Sequence, residues 1–246
     1  MSSSSIKNRS LANLLWFFLC LFLLVFSLGL SWQVNKSVNF FYEFWYSQLN
    51  IEQTIKTYVP QNTQGKKDFA NTTTQQHFTS FNQIVYEINN NGAGLAKLSY
   101  ENEEKEIKLL LTTAEVVHLR DVSDLVNKLR SASVINILLL FVVIVGVYRF
   151  KQPKPLKKEQ FIAVIIPGIV LLLMFSIFGF TEIFYYLHTV VFPDDHQWFF
   201  YYQESLMSSL MKAPDLFAGI GFSLITVACV IYLIIYRLLM TNIFRE

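Results

Sequence analysis

Four histidines are the side chains of this sequence best suited to acid–base chemistry near neutral pH: His77, His118, His188 and His196. None of them lies in a His-Glu-x-x-His motif, and the sequence has no Cys-x-x-Cys, Gly-x-Ser-x-Gly or Walker loop. These absences argue against a metalloprotease, a serine hydrolase of the common type and an ATPase. His77 falls in a polar stretch, where we expect it to be solvated.

Two of the histidines have neighbours that suggest a role. His118 and Asp121 are three residues apart on a predicted helix, so the carboxylate could orient the imidazole. The alternative is an ordinary surface pair. His188 lies in an aromatic, membrane-like stretch, where a histidine is costly unless it has a partner or a wet cavity. Its alternative is an anchor at the membrane interface.

A metal site is a further possibility for the segment after His188. His188 and His196, together with Asp194 or Asp195, could ligate a metal ion, but their spacing matches no diagnostic ligand pattern. We expect no metal. The same region is dense in aromatic side chains, among them Tyr185 and Trp198. They predict either an interfacial aromatic belt or a pocket for an acyl chain.

The composition identifies the medium in which these residues must be positioned. Of 246 residues, 53% are apolar and only 15% are charged, and the net charge is +2. This pattern excludes a disordered or ordinary soluble protein and gives no reason to expect nucleic acid. We therefore predict an integral membrane protein.

Four apolar stretches are long enough, alone or with their flanks, to cross a bilayer, which takes about 20 helical residues. We place the spans at residues 11–32, 131–149, 161–192 and 215–240. The helix before the second span, about 113–130, carries an apolar stripe. We expect it to bend near Ser131-Ala132-Ser133 and lie on the membrane interface. Cys20 and Cys229 both fall in spans, so no disulfide framework is expected outside the membrane.

Basic residues beside the spans predict the orientation. They cluster in the N-terminus (1–10), in the loop 150–160 and at the C-terminal end, with its tail 241–246. We therefore expect both termini in the cytoplasm of a multi-pass cell-membrane protein. The segments 33–130 and 193–214 then lie outside.

The external segment 33–130 predicts a small α+β cap between the first and second spans. One or two helices are expected within 38–57, a loop at 60–74, and a helix that ends at 89–92. A hairpin pairs 95–100 with 106–111. Thr112 and Glu115 have the spacing of a capping box, which predicts that the next helix starts there. The fold class is thus a mainly α membrane protein with four transmembrane helices and this cap.

The order of these features resembles the lipoprotein intramolecular transacylase (Lit) family of Gram-positive bacteria. Two motifs carry the resemblance: His118-Leu119-Arg120-Asp121-Val122 before span two, and Phe184-x-x-x-His188-x-x-x-Phe192 followed by Trp198. The resemblance implies two catalytic histidines, His118 and His188, where the cap meets the membrane. Asp121 would orient His118, and Phe184, Tyr185, Phe192 and Trp198 would line the substrate pocket.

The resemblance also implies a reaction. The substrate would be a lipoprotein whose N-terminal cysteine carries a diacylglyceryl group, in contact with membrane lipids. The sn-2 acyl chain would move to the cysteine α-amine without any cofactor. His118 would act as general base, and His188 as acid or oxyanion stabiliser; the two roles could also be exchanged.

Three other functions remain as alternatives. The chain could be a non-enzymatic membrane protein whose cap binds an envelope partner, or a metal-dependent hydrolase that uses the aspartate–histidine segment above. A transporter is the least favoured, because the spans hold almost no acidic residues.

Overall fold

The computed structural model describes residues 3–150 and 153–242, and it is mainly helical. Within these ranges the helices are α1 (Ser3–Ser37), α2 (Tyr42–Gln48), α3 (Ile51–Tyr58), α4 (Thr74–Asn89), α5 (Thr113–Arg149), α6 (Lys157–Phe178), α7 (Phe180–Val191), α8 (Leu206–Met211) and α9 (Asp215–Asn242). Two short strands, β1 (Ser99–Glu101) and β2 (Ile107–Leu109), pair antiparallel. The predicted tail 241–246 lies outside the described residues beyond Asn242.

The chain divides into two compact units. The first unit contains the residues up to Val34, Arg130–Gly179 and the residues from Leu224 onward. The second unit contains Asn35–Leu129 and Phe180–Ser223. All four histidines belong to the second unit.

The first unit has an apolar core made by α1, α5 and α9. Its buried side chains are Leu19, Leu23, Leu140, Val143, Val147, Tyr232 and Met240. Side-chain hydrogen bonds to backbone oxygens also join these helices. Asn136 Nδ2 donates to Phe22 O at 2.9 Å, and Ser31 Oγ donates to Leu224 O at 2.7 Å. Such bonds are a common way to hold helices together where lipid removes the hydrophobic driving force between them.

Three helices of the described residues are long and apolar enough to cross a membrane: Ser10–Ser37, Thr113–Arg149 and Asp215–Asn242. Many of their outward side chains are large and apolar, for example Phe17, Phe141 and Ile234, each more than half exposed. A surface of this kind suits lipid rather than water.

The third predicted span, 161–192, is not one helix. It is divided into α6 and α7 at Gly179, which has a φ of +74°. Glycine adopts this left-handed backbone without the steric penalty of a side chain. The break was not predicted, because one glycine in an apolar run is a weak signal for the end of a helix.

The predicted bend near Ser131-Ala132-Ser133 does not interrupt the helix. All three residues lie inside α5, which continues to Arg149. This segment contains neither proline nor glycine, so every backbone N–H is available and no residue favours a break. The sequence therefore gave no local reason for the helix to stop there.

The second unit contains the smaller elements that the sequence predicted. Helices α2 and α3 fall within residues 38–57 but for the last residue of α3, and α4 ends at Asn89, as expected. The hairpin has Ser99 opposite Leu109 and Glu101 opposite Ile107. Apolar side chains from α3, α4 and α8 are fully buried in this unit, among them Ile51, Ile55, Ile84, Leu206 and Leu210.

The expectation that His77 is solvated was wrong. It lies on α4, only 3% exposed, and both ring nitrogens have partners. Thr72 Oγ1 donates to Phe69 O, so its oxygen accepts from His77 Nε2 at 3.0 Å. The other nitrogen, Nδ1, then accepts from Tyr46 O–H at 2.7 Å. Burial lowers the pKa of His77 to about 4, so the folded protein keeps this ring neutral.

This buried ring predicts acid sensitivity of the second unit. The pKa of His77 in the folded protein is below its ordinary value of 6.5. The unfolded chain therefore binds a proton first as the pH falls. Between pH 6.5 and about 4, the free energy of unfolding should fall by up to about 3 kcal/mol through this group. Denaturant titrations in micelles at several pH values measure this slope.

Substitution at His77 separates its contribution from that of other acid-sensitive groups. In a His77→Asn variant, the change of the free energy of unfolding with pH should be smaller by the amount that corresponds to about one bound proton. This holds whatever the overall stability of the variant. His196→Asn is the matched control, because it removes a histidine whose pKa is raised and should not flatten the slope in this range. An unchanged slope in His77→Asn would contradict the assignment.

Candidate functional site

The start of α5 is fixed by a buried carboxylate, Glu115, which is 0% exposed. Thr112 N donates to Glu115 Oε2, and Glu115 N donates to Thr112 Oγ1 at 3.3 Å. This is the capping box that the sequence predicted. The second oxygen, Oε1, accepts from Ser205 Oγ at 2.5 Å and from Met207 N at 3.2 Å. Glu115 thus joins the start of α5 to the start of α8.

His118 follows Glu115 by one turn of α5. It is 7% exposed, and among the described residues its Nδ1 has no hydrogen-bond partner. Aromatic rings surround it: Phe192 at 5.0 Å and Phe200 at 6.1 Å between ring centroids. A buried polar nitrogen without a partner costs free energy. Such an atom is a candidate for contact with a bound molecule.

His188 lies on α7 and is half-buried. Its Nδ1 is 2.7 Å from Phe184 O. Because a carbonyl oxygen can only accept, Nδ1 carries the hydrogen. In the neutral ring the lone pair is then on Nε2. The ring also packs against Phe184 and contacts Trp198, with distances of 4.1 Å and 5.1 Å between ring centroids.

The structure brings the two predicted histidines together. The centroids of His118 and His188 are 6.0 Å apart, and Phe192 contacts both rings. The remaining predicted pocket residue, Tyr185, contacts Trp198 at 5.9 Å. All the predicted pocket residues therefore belong to one aromatic cluster around the two imidazoles. A single small reacting group could contact both rings at this separation.

The predicted pairing of Asp121 with His118 was wrong. The Oδ2 of Asp121 is 2.7 Å from Nδ1 of His196, which lies in the segment after α7. This hydrogen bond raises the pKa of His196. Spacing on a helix indicates only that Asp121 and His118 share a face. It could not show that a residue 75 positions later would approach the carboxylate.

Sequence reasoning also missed three members of the site. Phe200 was noted only as part of an aromatic run, and His196 only as a possible metal ligand. Glu115 was identified as a capping residue, but its bonds to Ser205 and Met207 were not foreseen. An acidic residue in a strongly apolar helical stripe was the available signal for a buried network.

No group of three or more histidine, cysteine, aspartate or glutamate side chains is placed to hold a metal ion within residues 3–150 and 153–242. In particular, Nδ1 of His196 donates a hydrogen bond to Asp121, so this nitrogen has no lone pair for a metal ion. The donor set that the metal-dependent alternative requires is therefore not assembled in the described part of the chain.

One comparison with known proteins identifies a family. A family profile described as lipoprotein intramolecular transacylase Lit matches residues 14–213. A sequence search of curated proteins finds no match.

Two solved structures, both of the membrane integral lipoprotein intramolecular transacylase Lit from Bacillus cereus, have a similar fold. One is a histidine-to-arginine variant with 16% identity and a TM-score of 0.62; the alignment covers 96% of this chain and 92% of that one. The other, a histidine-to-alanine variant, has 16% identity and a TM-score of 0.64, with 96% of each chain covered.

The profile match covers most of the chain, and the resemblance predicted from the two histidine motifs is confirmed. This protein belongs to the lipoprotein intramolecular transacylase (Lit) family of membrane proteins.

Proposed function

We propose that this protein moves the sn-2 acyl chain of a diacylglyceryl lipoprotein to the α-amine of the N-terminal cysteine. The product is a lyso-form lipoprotein. One observation carries the proposal: in a member of this family, His118 and His188 lie 6.0 Å apart in a cluster of aromatic side chains. Acyl transfer from an ester to an amine requires the kinds of group that two imidazoles supply.

The reaction moves one proton in net, from the amine to the glyceryl oxygen, and forms one oxyanion that must be stabilised. The amine nitrogen attacks the ester carbonyl, and a tetrahedral intermediate forms. When this intermediate collapses, the new N–C bond remains and the C–O bond to the glyceryl group breaks. The proton lost by the amine ends on the glyceryl oxygen. Atoms and charges balance without a cofactor or water.

The hydrogen bond at His188 suggests which imidazole moves the proton. Because Nδ1 donates to Phe184 O, the neutral ring has its lone pair on Nε2. We assign His188 as the base that takes the proton from the amine and returns it to the glyceryl oxygen. His118, which is not oriented by Asp121, is assigned as the N–H donor to the oxyanion. This exchanges the two roles expected from the sequence.

The aromatic cluster supports a further catalytic contribution. The ester and the amine belong to one flexible molecule, so the pocket must hold them in contact. Phe184, Phe192 and Trp198 each contact at least one imidazole, and Tyr185 contacts Trp198. Holding two reacting groups in the correct orientation can contribute several kcal/mol.

The membrane arrangement belongs to the same proposal. The apolar part of α6 supplies a fourth span beside the three long helices. The segments 33–130 and 193–214 then lie on the outer side, where lipoproteins are anchored, and both termini face the cytoplasm. Basic residues beside the spans support this orientation.

Replacement of either histidine should abolish transfer. In a host that makes only the diacylglyceryl form, we expect the wild-type protein to yield an N-acyl, lyso-glyceryl cysteine of unchanged total mass. His118→Ala and His188→Ala should each lower the yield by at least about 100-fold. Tandem mass spectrometry of a reporter lipoprotein's N-terminal peptide locates the acyl chain.

The control for this experiment is Thr189→Ala, an exposed position next to His188 on α7. It should retain normal transfer. Normal conversion by both folded histidine variants would contradict the proposed site. A diacylglyceryl cysteine that stays unchanged with the folded wild-type protein would contradict the function itself and favour a partner-binding protein.

Amide substitutions should distinguish the base from the oxyanion donor. An amide provides an N–H but no basic nitrogen, with Asn matching Nδ1 and Gln matching Nε2. One of His118→Asn and His118→Gln should therefore keep at least about 10-fold more transfer than His118→Ala. Both amides at position 188 should be as inactive as His188→Ala. The initial rate of N-acylation is the measurement, and the reverse pattern would return the base role to His118.

A further inference from the structure

The pair formed by Asp121 and His196 is not used by the proposed reaction. Their side chains are only partly buried, 18% and 35% exposed, and come from distant parts of the chain. Asp121 lies on α5, one turn after His118. His196 lies in the segment that follows α7, between Pro193 and Trp198. The 2.7 Å bond therefore ties this segment to α5.

The tied segment supplies aromatic side chains to both imidazoles. Trp198, two residues after His196, lies 5.1 Å from His188. Phe200, four residues after His196, lies 6.1 Å from His118. Residues 197–200 have no regular secondary structure. Without a helix or strand ladder, their position depends on side-chain contacts such as the one at His196.

The charges around His196 favour its protonated form. Asp121 acts on it from α5 and Asp195 from its own segment, and the hydrogen bond to Asp121 is the largest cause of its raised pKa. A group with a raised pKa contributes its full stabilisation at low pH. That contribution is lost as the pH rises through the raised value. The ion pair is accordingly strongest in acid to neutral solution.

We propose that Asp121 and His196 form a positioning pair that holds Trp198 and Phe200 against the two catalytic histidines. The inference rests on the proposed transfer reaction and adds residues that act on it indirectly. Neither side chain needs to touch the substrate. The pair closes a loop of contacts from His118 along α5, across the ion pair, through Trp198 to His188.

Removal of the pair should slow transfer without abolishing it. A displacement of about 1 Å in the side chains that position the reacting groups can lower the rate by up to about 100-fold. We therefore expect His196→Ala to lower kcat/KM about 10-fold, mainly through kcat. Asp121→Ala should have a similar effect, and the double variant should be no worse than the poorer single variant. Additive losses in the double variant would overturn the pairing.

A conservative substitution separates positioning from a general effect on folding. His196→Asn keeps an N–H near the position of Nδ1 but cannot be charged. It should recover most of the activity lost in His196→Ala. The ratio of wild-type to His196→Asn kcat/KM should be constant at low pH and fall as the pH rises above about 6.5. A ratio independent of pH, or no recovery, would overturn the proposal.

Two further measurements keep this inference separate from the proposed function. Asp194→Ala, an exposed change in the same segment, is the matched control and should leave kcat/KM unchanged. NMR titration of the labelled His196 ring in micelles needs no activity, and Asp121→Ala should lower the pH of its transition. A transition unmoved by that substitution refutes the pair. If the wild-type protein is inactive but Asp121→Ala lowers the pH of the His196 transition as expected, only the transfer reaction is refuted.

Discussion

The arrangement of the site depends on one buried carboxylate, that of Glu115. A fully buried charge is costly unless hydrogen bonds replace its hydration. Thr112 N, Ser205 Oγ and Met207 N provide three such bonds. The charge also acts on Lys66, opposing the lowering of the lysine pKa by burial. Because its donors come from the starts of α5 and α8, Glu115 fixes these two starts against each other. His118 lies one turn beyond the fixed point.

The surroundings of His188 suit a base that must also release its proton. In many enzymes a carboxylate orients the catalytic imidazole and stabilises its charged form. Here the orienting group is the backbone carbonyl of Phe184, which fixes the tautomer but carries no full charge. In the proposed reaction the same ring must return the proton to the glyceryl oxygen within one turnover. A neutral orienting group favours that return, because it does not hold the imidazolium strongly.

The carboxylate of Asp121, one turn after His118 on α5, interacts with another residue. The carboxylate of Asp121 accepts its hydrogen bond from His196. A carboxylate and a histidine together in a segment without regular structure can hold that segment by charge as well as by geometry. The same acid that the sequence suggested as a catalytic partner therefore has a structural partner, and its effect on the reaction passes through Trp198 and Phe200.

Features that depend on residues close together in the sequence could be predicted, and features that depend on distant residues could not. The capping box at Thr112 and the hairpin depend on neighbours in the chain. The capping box was predicted correctly, and the hairpin was predicted with strands 95–100 and 106–111, longer than the 99–101 and 107–109 that form. The burial of His77 and the bond between Asp121 and His196 depend on residues far apart in sequence. No periodicity or spacing reports such contacts. The break at Gly179 lies between these cases: a Cβ there would meet nothing within 4 Å, so the requirement is the positive φ alone.

The same distinction separates the two halves of the candidate site. On α7, Phe184 both accepts the hydrogen bond of His188 and packs against its ring, and Phe192 lies one turn beyond. A nine-residue motif with four-residue spacing thus contains the imidazole, the group that orients it and part of its aromatic surroundings. His118 has no comparable local set, because its position depends on Glu115, Ser205 and Phe200. Spacing could therefore predict the surroundings of His188, whereas around His118 it predicted Asp121 as the partner, and Asp121 bonds to His196 instead.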